Sequence, residues 1–154
     1  VVVLDKPRHV ELIERLHAAG ARVISPPDGD VAGSLAALLP EGEADLLMGI
    51  GGTPEGVLTA CAVRAFGGCM QGRLAPQKED EVRAVAAAGL DLERIYELDD
   101  LISGSSFFVA TGVTGGTLLR QPWWSGNALC TESLVVQGRA VRRIMEITPE
   151  QPAA

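Results

Sequence analysis

The 154-residue chain is poor in most of the residues that betray a function early. Aromatic side chains are 4% of it, and only one of them is a tyrosine. Two histidines and three cysteines are too few and too scattered for a zinc site, since Cys61, Cys69 and Cys130 show no ligand spacing. Three thiols also make no even disulfide set, so free cysteines in a reducing cytoplasm are the expectation. No apolar run reaches the roughly 18 residues that a spanning helix needs. The opening VVVLDKPRH lacks the apolar core of a signal peptide. Basic residues are outnumbered 13 to 20, for a net charge of −7. Nucleic acid, which calls for a basic face, is disfavoured, and so is a membrane. No Ser-His-Asp order suggests a hydrolytic triad.

What is present is a globular composition. Hydrophobic residues make up 47% and charged residues 21%, enough apolar matter for one core in one domain. The chain begins without Met, in what reads as a buried strand, and this reading expects a segment to precede it.

The first two thirds alternate strand and helix, with short connections. Residues 1–4 read as strand. Residues 9–19 read as helix, with Val10, Ile13, Leu16 and His17 on one packed face and Gly20 ending it. Residues 21–25 read as strand and Pro26 to Gly29 as a turn. Residues 30–39 read as helix, capped by Asp30 and stopped by Pro40. Residues 44–49 are apolar almost throughout, as a strand covered on both faces should be. Residues 54–66 read as helix, with Thr53 as cap and Pro54 at its first position. Strand over 69–74 and helix over 78–88 complete an α/β pattern whose sheet is expected to be largely parallel or mixed and flanked by helices. Beyond Asp91 the sequence predicts strand over 94–98, a helical turn over 99–102 and strand over 107–114, with Phe107 and Phe108 in the core. Trp123 and Trp124 suit edge packing or a subunit contact. Residues 134–136 and 140–147 suit a hairpin around Gln137 and Gly138.

Ten of the 18 glycines fall between Gly29 and Gly72, mostly in loops. Ligands of open α/β sheets bind outside the carboxyl ends of the strands, and three loops there carry polar groups. In Gly49 to Gly56 (GIGGTPEG), glycines admit a ligand to the backbone, and the first helical turn can hold an anion. Glu55 in that turn is either a charge complementing the helix end or a metal ligand above the strands. Asp28-Gly29-Asp30 either makes a turn and a cap or accepts hydrogen bonds from sugar hydroxyls. Lys6, Arg8 and His9 are either solvated surface or a phosphate-neutralising cluster, with Arg8 bidentate. Arg73 is a further possible anion contact.

Taken in order, KPRH, DGDVAG, GIGGTPEGV, MQGRL, DLISG and FFVATGVTGG resemble the C-terminal half of class II fructose-1,6-bisphosphatases, over residues 1–147. Residues 148–154 are left as a tail. The resemblance implies a lithium-sensitive sugar-phosphatase type of fold, with an N-terminal half that this chain does not contain. It implies a cytoplasmic, metal-dependent hydrolase of gluconeogenesis that removes the 1-phosphate of fructose 1,6-bisphosphate, using Mg²⁺ or Mn²⁺. Some cyanobacterial members also hydrolyse sedoheptulose 1,7-bisphosphate. By the same resemblance Glu55 is a metal ligand, and Lys6, Pro7, Arg8, Asp28, Gly29, Asp30 and Gly52 contact substrate. No other catalytic residue is implied within the chain, and the full-length protein is expected to be a homo-oligomer. Where the family often has Thr-His-Ser, this chain has Thr131-Glu132-Ser133. The alternative from another class is a non-catalytic phosphosugar-binding module.

Overall fold

A computed structural model describes residues 1–39, 42–116, 118–137 and 140–150. Pro40, Gly138 and the last four positions of the tail, all assigned roles above, lie outside the described residues.

The chain folds as a mixed α/β structure. A 3-10 turn over Pro7–His9 leads into α1 (Val10–Ala18), followed by α2 (Asp30–Leu38) and α3 (Thr53–Phe66). Strand β1 (Gln71–Gly72), helix α4 (Glu79–Ala87), strand β2 (Tyr96–Glu97) and helix α5 (Leu98–Leu101) come next. The chain then enters β3 (Phe107–Thr111), β4 (Trp123–Ser125), β5 (Ala128–Gln137) and β6 (Ala140–Pro149).

All the extended strands pair antiparallel. β5 lies between β6 on one side and β3 with β4 on the other, and β1 pairs only with β2. Parallel pairing is confined to two bridges, in which Val2 joins Ile24 and Leu47. Of the two expected arrangements, largely parallel or mixed, the chain has the mixed one: antiparallel sheets beside a small set of parallel bridges. The expected strands 69–74 and 94–98 shrink to two residues each, and 107–114 stops at Thr111. The hairpin is instead longer than expected, and its second strand runs past residue 147 to Pro149.

Burial explains which residues drive the fold. Leu35 of α2, Ala62 and Ala65 of α3, and Phe108, Leu134 and Val136 of the sheet form one apolar cluster with Leu119. Leu35 and Leu134 have no exposed surface, and burying each side chain contributes about 1.5–3 kcal/mol. Alternation along β5 puts Ala128, Cys130, Leu134 and Val136 on the face toward α3. The same alternation corrects one expectation: Phe108 is core, but its neighbour Phe107 is 70% exposed on the opposite face. His17 is likewise exposed rather than packed, and α1 and α4 bury no residue. Trp123 is half-buried under the Arg120 guanidinium, 4.0 Å from its ring centre, whereas Trp124 is exposed. Arg64 of α3 ties that helix to the next segment through Asp99 and the carbonyls of Leu98 and Gly104.

The departure at Glu132 has a structural use. Its carboxylate accepts the Arg120 backbone N–H at 2.8 Å and the Arg143 guanidinium at 3.2 Å. The Arg120 N–H holds the carboxyl below its ordinary value of 4.5; burial opposes this, and Arg143 reinforces it. A carboxylate lowered in the folded state stabilises it above the unfolded pKa and loses that contribution as pH falls through the folded one. The stability advantage of the parent over Glu132→Gln is therefore expected to be full at pH 7 and to shrink below about pH 4.5. Urea unfolding of both proteins across that range checks this; a pH-independent difference would show that the charge contributes nothing.

Candidate functional site

The site forms where three parallel segments end. Val2 N–H donates to Leu46 O at 2.8 Å, and Val2 O accepts from Met48 N–H at 3.0 Å. On the other side Ile24 N–H donates to Val1 O at 2.9 Å, and Val3 N–H donates to Ile24 O at 3.0 Å. Because all three segments run the same way, their carboxyl ends lie at one edge. The loops carrying Lys6 to His9, Asp28 to Asp30 and Gly49 to Glu55 leave from that edge together, as the strand-end rule anticipates.

Direct contacts join the three loops. Lys6 Nζ donates to Asp28 Oδ1 at 2.6 Å, and Asp5 N–H to Pro26 O at 2.8 Å, linking the first loop to the second. Arg8 Nε donates to Ile50 O at 2.7 Å, linking the first to the third. Asp30 Oδ2 faces Gly51, where a side-chain carbon would stand 3.2 Å from it, which brings the second loop against the third.

His9 is the bracket behind these contacts. It is 1% exposed, and its Nδ1 lies 2.8 Å from Leu4 O while its Nε2 accepts the Ile50 N–H at 2.8 Å. An amide N–H only donates, so Nε2 accepts from Ile50 and Nδ1 donates to the Leu4 carbonyl; the Ile50 carbonyl, 3.2 Å from Nε2, takes its hydrogen bond from Arg8. His9, expected in a solvated or phosphate-neutralising basic cluster, is instead buried, and Ile50, expected only as part of the glycine-rich loop, is its partner. Ile50 contributes through its backbone N–H and C=O, and side-chain type gives no signal of that.

The helix starts differ from expectation. Gly29, at φ +98°, is the N-cap of α2, and only glycine takes that conformation without strain. Asp30 is thus the first helical residue, its Oδ1 accepting the Val31 N–H at 2.9 Å. Gly52, not Thr53, caps α3, so Thr53 is its first residue and Pro54 its second. Pro7 opens the 3-10 turn, where its missing N–H costs nothing.

Glu55 stands exposed in the first turn of α3, its carboxylate folded back over Gly52 in the space where a side chain at 52 would begin. Among the described residues no three His, Cys, Asp or Glu side chains are grouped so as to hold a metal ion. Glu55 is thus not part of a three-ligand cluster among the described residues. What the cluster can do is bind a small anionic polyol. Lys6 and Arg8 bring positive charge, the start of α3 brings backbone N–H groups, and Asp28 and Asp30 bring acceptors. No described helix is long and apolar enough to cross a membrane.

Comparison with known proteins places the chain in a family. A family described as bacterial fructose-1,6-bisphosphatase, glpX-encoded, matches residues 1–148. Among curated relatives, the fructose-1,6-bisphosphatase class 2 of Haemophilus influenzae is 43% identical over 163 aligned residues, covering 96% of this chain and 49% of the relative. The fructose-1,6-bisphosphatase 1 class 2 of Escherichia coli K12 is 39% identical, covering 96% of this chain and 48% of the relative. The chain thus spans about half the length of the curated relatives it matches. On the match across residues 1–148, this chain belongs to the glpX-encoded family of bacterial fructose-1,6-bisphosphatases.

Proposed function

We propose that these residues supply the phosphosugar-binding loops of a fructose-1,6-bisphosphatase that acts in a reducing cytoplasm and hydrolyses the 1-phosphate. The observation that carries this reading is the convergence of three polar loops at one edge, tied through Lys6–Asp28 and through Arg8 and His9 on Ile50. Lys6 has two ammonium N–H groups beyond its bond to Asp28, and Arg8 has its terminal amino groups beyond the bond made by Nε; both would pair with the phosphate that is not cleaved. Asp28 and Asp30 would accept from the sugar hydroxyls, and Gly29 and Gly52 would let the backbone approach the substrate. Glu55 would give one carboxylate to a divalent cation, Mg²⁺ or Mn²⁺, whose other ligands lie outside the described residues. Such a cation polarises phosphoryl oxygens and lowers the pKa of bound water. With no three such donors grouped among the described residues, the loops taken alone favour binding over turnover, which keeps the non-catalytic phosphosugar module as the second reading.

The test is phosphate release from fructose 1,6-bisphosphate, with Mg²⁺ or Mn²⁺, by a polypeptide of the relatives' length that carries these residues. No release above a blank with either metal would sink the proposal. In the same assay Arg8→Ala is expected to raise KM about tenfold or more and to change kcat little. The charged hydrogen bonds it loses, worth about 1.5–3 kcal/mol, are made alike in ground and transition states. An unaltered KM would leave Arg8 as a solvated side chain that only braces Ile50.

A further inference from the structure

One nitrogen of His9 lies within reach of both polar atoms of a single residue. Nε2 is 2.8 Å from Ile50 N and 3.2 Å from Ile50 O, while Nδ1 is 2.8 Å from Leu4 O. The ring is 1% exposed and packs where Gly49 leaves room for it, since a side-chain carbon at 49 would stand 3.1 Å from Cε1. Arg8 Nε donates to the same Ile50 carbonyl at 2.7 Å. Ring, Ile50 backbone and guanidinium thus form one connected chain that leads to the loop edge. The charged groups on the elements around the ring are Asp5 beside Leu4, Lys6 paired with Asp28, Arg8, Asp30 against Gly51, and Glu11 in the first turn of α1. Among the described residues no carboxylate bonds the ring, whose partners are backbone groups.

Protonation reverses what Nε2 does. The neutral ring accepts the Ile50 N–H there, whereas an imidazolium donates at both nitrogens and accepts at neither. Two donors then face each other at 2.8 Å, and the acceptor within reach of Nε2 is the Ile50 carbonyl. That oxygen already holds the Arg8 guanidinium, so two cations compete for it beside a buried ring. The Ile50 backbone has to shift, and Arg8 loses its brace. Of the side-chain types in these loops, histidine is the one whose charge changes between about pH 5 and 8. We infer that His9 is a protonation switch on anion binding: neutral, it holds Ile50 and through it Arg8; protonated, it releases both. The sign is opposite to that of a histidine touching the anion, where an added positive charge tightens binding. His9 is a positioning residue that acts through Arg8. The consequence for binding rests on the phosphosugar reading; the switch itself does not, because it is read without ligand.

Two measurements test it. In the chain without ligand, NMR follows the imidazole nitrogens and the Ile50 amide from about pH 8 to about pH 5, with His17→Gln removing the one other histidine ring. The Ile50 amide is expected to lose its hydrogen-bonded shift in step with protonation of the His9 ring. An Ile50 amide unmoved while the ring titrates, or a ring that stays neutral throughout, would overturn the inference, and neither reading needs a variant at His9. Over the same range, phosphate release from fructose 1,6-bisphosphate is assayed in a polypeptide of the relatives' length beside His9→Gln, whose side-chain carbonyl accepts an N–H at every pH. Ionisation of the substrate is common to both and cancels in the ratio of their KM values. On acidification the parent KM is expected to rise at least about threefold more than that of His9→Gln, a part of the roughly tenfold that losing the Arg8 bonds costs, with the kcat ratio little changed. In an Arg8→Ala background the KM ratio is expected to be flat. A parent KM that falls relative to His9→Gln would make His9 a direct phosphate contact and overturn the switch. Absence of phosphate release at every pH would sink the phosphosugar reading alone, and the NMR titration would still decide the switch.

Discussion

Glu55→Gln is expected to lower metal-activated phosphate release by at least about 100-fold, roughly 2.7 kcal/mol of barrier, while moving stability by less than about 1 kcal/mol. The two expectations come from different physics. Within the fold Glu55 is exposed in the first turn of α3, where its charge complements the helix end. Such a charge is worth about 0.3–1 kcal/mol and is screened by salt. Its oxygen count, hardness and place beside the loop cluster suit a divalent cation, and glutamine keeps the shape while losing the charge that holds such an ion. Thermal melts beside phosphate-release assays over a range of Mg²⁺ and Mn²⁺ concentrations separate the two roles. Loss of activity recovered by excess metal supports the ligand role. Equal activity at limiting metal would leave only the helix-end charge.

His9→Ala is expected to destabilise the protein by roughly 2–5 kcal/mol. The change strips partners from two backbone groups, the Leu4 carbonyl and the Ile50 N–H, in a place where the ring itself is 1% exposed. Each orphaned buried group costs about 1–3 kcal/mol. For a chain of this size that corresponds to a fall in Tm of about 5–15 °C. Loss of phosphosugar affinity should accompany it, because Ile50 also offers the carbonyl that orients Arg8. Arg8→Ala, in the same loop but exposed, is the control and should shift Tm little. Matching Tm values for the two variants would remove His9 from the role of bracket.

Much of this was legible in the amino-acid order. The Thr53–Pro54 start signal marked a helix that forms where expected, apart from one residue at the start. The three polar loops stood out because each follows an apolar segment and is rich in glycine or charge. The short strands were not legible. Residues 69–74 look like a strand, yet only Gln71 and Gly72 find a partner. Whether a segment is strand depends on a neighbour supplied by distant chain, and β propensity cannot encode that neighbour. Phe107 and Phe108 are the same residue type side by side, and only the pleat, set by pairing with Gln137 and Val136, decides which one is buried.

Sequence by itself determined the single apolar core, the family, and the identity of the side chains that can neutralise a phosphate or accept from a sugar. These depend on composition and local order, which survive unfolding. Tertiary structure alone decided that Lys6 meets Asp28, 22 residues away, and that His9 closes on Ile50, 41 residues away. It also decided that the key partner there is a backbone amide. Such contacts arise only when parallel segments bring three loop ends to one edge. Hydrogen bonds between a ring nitrogen and a peptide group leave no trace in residue type, because every residue but proline carries the same N–H.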